Sequence, residues 1–103
     1  MSNQPVVIAV DANPEGVNQY SGARSEARTS TKSALAATHA AEAQHTSKSH
    51  EKASMAHHQA SLAHLKAAEK APDAGTAGEH AEKADRHSDR ADYHAKAAKE
   101  LRY

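Results

Sequence analysis

The 103-residue chain has no cysteine, no phenylalanine and no tryptophan, and three tyrosines are its only large aromatic side chains. The missing cysteine excludes both a disulfide and a thiolate site. Without Phe or Trp a large apolar core is out of reach. Each buried methylene is worth roughly 0.8 kcal/mol, so an alanine layer contributes roughly 2 kcal/mol less than a leucine layer. A chain this short is already marginal by surface scaling, so it is expected to be stable mainly in an assembly. Charge of one sign is also lacking: thirteen basic residues balance thirteen acidic ones. Phosphate binding needs a net basic face, so nucleic acid is not an expected partner. The only sustained apolar run, Val6 to Val10, is far shorter than the roughly 18 residues that span a bilayer. Residues 1–5 carry no basic side chain, which argues against a secretory leader. No membrane partner and synthesis in a host cytoplasm are therefore the expectation.

Glycine and proline are absent from residues 31–70, and what fills that stretch is alanine and histidine in strict order. His50, His57 and His64 repeat every seven residues, and so do His80, His87 and His94. Ala53, Ala60 and Ala67 interleave the first run; Ala84, Ala91 and Ala98 interleave the second. Steps of three and four keep side chains on one face of an α-helix, and a seven-residue repeat marks a face that packs along another helix. Continued backwards, the first seam takes in Ala36, His39, Ala43 and Thr46. Thr29, Ser30 and Thr31 offer N-cap oxygens, which predicts one helix over about 31–70. Pro72 stops it, residues 71–78 make a turn, and the capping-box pattern of Thr76 and Glu79 starts a second helix that runs to about 102. So short a connection makes the two helices antiparallel neighbours. The expected fold is all-α: an antiparallel two-helix hairpin over 29–103 with an Ala/His heptad seam.

Residues 1–28 read as an extended N-terminal arm. Pro5 to Val10 is β-branched and can form one short strand over 5–10, which finds no ladder partner within the chain. Asn13-Pro14 and the glycines Gly16 and Gly22 are loop signals. Val6, Val7, Ile8, Val10 and Tyr20 are the side chains with which such an arm would hold a partner. A second apolar line, Met55, Leu62 and Leu65, lies about 150° around the first helix from the seam and faces away from the hairpin. The far side of the second helix is charged and solvated.

A histidine series invites a metal. Two ligands on one helix sit at i,i+3 or i,i+4, whereas seam histidines are about 10.5 Å apart and no histidine pair has ligand spacing. The expectation is packing, with semi-exposed histidines filling gaps between close alanine-rich backbones and reaching water or serine. No metal, no cofactor and no catalytic residue is expected, because nucleophile elbow, phosphate loop and pocket are all missing. Protonation below about pH 6 should push the helices apart.

The segment Asn13-Pro-Glu-Gly-Val-Asn-Gln-Tyr-Ser-Gly22, followed by Ala/His/Lys/Glu-rich helix, resembles a segment of head-assembly and capsid-associated proteins of tailed bacteriophages. The resemblance covers residues 13–22 closely and the rest by composition. It implies a non-enzymatic structural role in the virion, as a minor capsid or capsid-decoration protein. The implied partners are the major capsid protein or another phage head protein, together with further copies of the chain. Two other readings fit the composition: a late-embryogenesis-abundant-like stress protectant, whose helices form on drying, and a phage scaffolding or adaptor protein that is absent from mature particles.

Overall fold

Three α-helices, where the sequence pattern predicts two, make up residues 14–102, the part of the chain that the computed structural model describes. They are α1, Pro14–Gln44; α2, Ser47–Lys70; and α3, Ala74–Leu101. The described residues are therefore all-helical, and none of the helices is long and apolar enough to cross a membrane.

The first correction concerns the arm. Residues 14–28, expected to be extended, are the first half of α1. Pro14 occupies the first helical position, where its missing N–H costs nothing and its fixed φ suits the helix. Ala23, Ala27, Ala34 and Ala41 recur on one face of α1 and are at most 2% exposed, so burial of that face decides for helix over loop. Gly22 sits within α1 with open space where a Cβ would be. Gly22→Ala should therefore stabilise the fold by about 1 kcal/mol, read as a raised denaturant midpoint. The strand over 5–10 and the side chains Val6, Val7, Ile8 and Val10 lie outside the described residues.

The second correction is a break inside the stretch 31–70. His45 adopts a left-handed conformation with φ of 49°, a region that histidine tolerates better than most residues. Its N–H donates to the Ala41 carbonyl at 2.7 Å and closes α1. Thr46 is extended and caps α2: its hydroxyl accepts from the Ser49 N–H, and the Ser49 hydroxyl accepts from the Thr46 N–H, each at 3.0 Å. This reciprocal box satisfies two orphan donors and competes with continuation of the helix. The chain turns back over two residues. Ala36, His39 and Ala43, expected on the seam, are consequently exposed, and Thr29, Ser30 and Thr31 lie within α1 instead of capping it.

The third correction moves the start of α3 from 79 to Ala74. Asp73 is its N-cap, and its carboxylate accepts from the Thr76 N–H at 2.7 Å. Hydrogen bonds from the backbone and side chain of Thr76 hold that carboxyl below its usual range.

Packing of the three helices inverts the usual order of side chains. Apart from alanine, the buried positions are taken by histidine and serine. Leu35, Met55, Leu62, Leu65, Tyr93 and Leu101 are the exposed large apolar side chains. Small residues let α2 and α3 approach closely enough for the Ser54 and Ser47 hydroxyls to donate to the carbonyls of Ala91 and Ala98, both at 2.8 Å. Ala60 is fully buried. Ala60→Leu should overpack that layer and cost about 1–3 kcal/mol, measured by chemical denaturation. By contrast, α1 and α3 nowhere bring Cα atoms within 8 Å of each other. They meet only through side chains, and an open groove runs between them.

Candidate functional site

The antiparallel register of α2 and α3 puts the two histidine series face to face. His50 meets His94, His57 meets His87, and His64 meets His80, each pair through its Nδ1 atoms at 2.8, 2.8 and 3.1 Å respectively. Seven residues down one helix match seven residues up the other, so one pair forms at every second turn. Ala53, Ala60 and Ala67 of α2 and Ala84, Ala91 and Ala98 of α3 fill the layers between, and all twelve seam residues are buried.

The outward-facing Nε2 atoms are taken by α1 and by His45 just beyond its end. Thr38 Oγ1 lies 2.6 Å from His57 Nε2 and 3.3 Å from His94 Nε2. One heptad earlier, Thr31 Oγ1 lies 3.0 Å from His64 Nε2 and 3.4 Å from His87 Nε2. Each threonine thus bridges one histidine pair to the next. Across these bridges the rings stack nearly parallel, at 12° with centroids 5.6 Å apart for His57 and His94 and 5.5 Å apart for His64 and His87. At one end Tyr20 OH meets His80 Nε2 at 3.1 Å; at the other, His45 Nδ1 meets His50 Nε2 at 3.2 Å.

These contacts join into one unbranched chain: His45, His50, His94, Thr38, His57, His87, Thr31, His64, His80, Tyr20. A neutral imidazole offers one donor and one acceptor, and a hydroxyl can use one of each in such a chain. If every link holds one proton, all members must point the same way, because a reversed member would leave one link with two protons or with none. Only two arrangements satisfy the whole spine. The distances select between them. An O–H donor makes the shorter bond and an N–H donor the longer, so Thr38 and Thr31 donate to His57 and His64 and accept from His94 and His87. The α2 histidines then carry the proton on Nδ1 and the α3 histidines on Nε2.

Burial opposes charging this core. It pushes His57 from 6.5 down to about 4, helped by the charges of His87, His94 and Arg90. It does the same to His64, from 6.5 to about 4, helped by His87, His80 and Lys83. His80, His87 and His94 are also lowered, again first by burial and then chiefly by Lys83, Arg90 and His50 respectively. Near neutral pH these five rings are uncharged, as the proton count along the spine requires.

No protein-family model, curated protein or solved structure matches this chain. Its chemistry is therefore read from the geometry alone. Among the described residues no three side chains of His, Cys, Asp or Glu converge as a metal-ligand set. Both ring nitrogens of each of the six seam histidines are engaged in the links just described.

The remaining sequence-derived sites fall as follows. Tyr20, expected to grip a foreign partner, is half-buried and ends the spine on His80. The six seam histidines are interior rather than semi-exposed. Met55, Leu62 and Leu65 are 64%, 53% and 49% exposed and line the outer face of α2. Sequence reasoning missed Thr31 and Thr38. Their signal was present: they are seven residues apart and interleave Ala27, Ala34 and Ala41, which share that spacing.

Proposed function

We propose that this chain is a non-enzymatic structural protein of a tailed-phage virion, a minor capsid or capsid-decoration protein. In this reading the residues before α1 anchor a rigid helical rod to the major capsid protein or another head protein. The exposed Met55, Leu62 and Leu65 line contacts a neighbouring copy. The observation that carries the reading is the phage-like segment Asn13 to Gly22 at the start of a self-contained three-helix rod. The helical seam is satisfied inside the chain, so self-association falls to the outer face of α2. The buried spine gives a desiccation protectant no particular advantage, since such a protein needs no fixed register.

The test is mass spectrometry of purified particles from cells that produce the protein with its head proteins. Many copies per particle are expected, and deletion of residues 1–13 should abolish particle association while helicity is retained. Absence from particles rich in capsid protein would instead favour the scaffolding or adaptor reading.

A further inference from the structure

The zero net charge conceals a strong separation of charge. The groove between α1 and α3 is a cleft of about 480 Å³ whose rim carries Arg28 and Lys32 from α1 and Lys83, Arg86 and Arg90 from α3. All five are exposed. Among the described residues only Arg86 has a carboxylate within ion-pair distance, Glu82 at 3.8 Å. Of the other acids on α3, Asp85 and Asp92 are exposed and, at 100° per residue, fall on the side of the helix away from this rim, with Asp89 on its flank; Glu79, one turn before Lys83, stands at one end of the groove beside Arg24, Arg28 and Lys83. The floor is Thr31, His64 and His87, and Leu35 closes one wall.

Five cations crowded around one cleft repel one another and stay there at a cost that a bound anion would remove. Three of them are arginines, whose planar forks match phosphate oxygens two at a time. Successive rim cations on a helix recur at three or four residues, hence at roughly 4.5–6 Å along the axis, so one anion with several charged centres can touch more than one of them. The volume falls within the roughly 300–1,000 Å³ usual for small-molecule sites.

We propose that the groove between α1 and α3 is a binding site for an oligophosphate, a small anion carrying several linked phosphate groups. Such a group is supplied by inorganic polyphosphate or by a nucleoside triphosphate, and Leu35 with the aliphatic arginine and lysine stems provides a wall for the body of the latter. This proposal is independent of the virion reading.

Isothermal titration calorimetry of the full chain at about pH 8 and low salt, with tripolyphosphate and separately with ATP, tests it. Saturable one-to-one binding of tripolyphosphate is expected, weaker in added salt. Tighter binding of ATP would assign the nucleotide as the source, and equal or weaker binding would assign the inorganic chain. Arg28→Gln with Arg90→Gln should weaken binding at least about tenfold. Lys48→Gln with Lys52→Gln, on the outer side of α2, should leave it within about twofold. In the unmodified protein, amide shifts on titration should cluster at residues 28–35 and 83–90. Absence of saturable binding, equal losses in the two double variants, or shifts spread over the α2 lysines would overturn the proposal.

Discussion

Acidification from about pH 7 to about pH 4 should unfold the helices. His57 and His64 are held at about 4 against 6.5 for the free side chain. Between those values the unfolded chain binds protons that the folded chain refuses, so stability must fall as pH falls. The contribution is fully present above about 6.5 and has been lost once the pH passes below about 4. At about 1.4 kcal/mol per unit, each of the two fully or almost fully buried rings removes about 3 kcal/mol over that window. His80, His87 and His94 act in the same direction. The two rings together remove several kcal/mol, a large part of the stability of a small domain. Far-UV circular dichroism should show a cooperative, reversible loss of helicity between pH 6.5 and 4. Helicity unchanged at pH 3.5 would mean that the buried rings accept protons freely.

Thr38→Val should destabilise the fold by about 2–4 kcal/mol. Valine keeps the volume, so no cavity opens. The change removes the one oxygen that joins His57 at 2.6 Å to His94 at 3.3 Å. Two buried ring nitrogens lose their partner, each at a cost of about 1–3 kcal/mol. Thr29→Val, at an exposed position of the same helix, should stay within about 0.5 kcal/mol. Equal denaturant midpoints for the two variants would show that Thr38 carries no link of the spine.

The contrast between Thr38 and Thr29 also shows what the sequence made legible. The α2 and α3 seam could be read directly, because seven-residue histidine and alanine spacing is a strong packing pattern and Pro72 marks the turn. The third helix was hidden. Asn13-Pro14 and Gly22 imitate a loop, and Thr29 to Thr31 imitate a helix start. The break at His45 and Thr46 carries neither glycine nor proline, only a threonine and a serine that cap each other once the chain has turned. With α1 removed from the count, histidines on a two-helix seam would face water, and the chain would need help from outside. With α1 present, Thr31 and Thr38 satisfy them, and the cover expected from a partner comes from the same chain. Placing leucine outside and histidine inside also defeats any reading that equates core with large apolar residues. The buried array works only because every member is paired; a partly satisfied one would be worse than an apolar core.

The unidirectional spine is the central claim, and nitrogen-15 NMR of the histidine rings at about pH 7.5 tests it most directly. The account predicts that His50, His57 and His64 carry their proton on Nδ1 and that His80, His87 and His94 carry theirs on Nε2. Each ring should be a single neutral tautomer that does not average with the other. The same tautomer on both helices, or rapid averaging at His57 and His87, would contradict it.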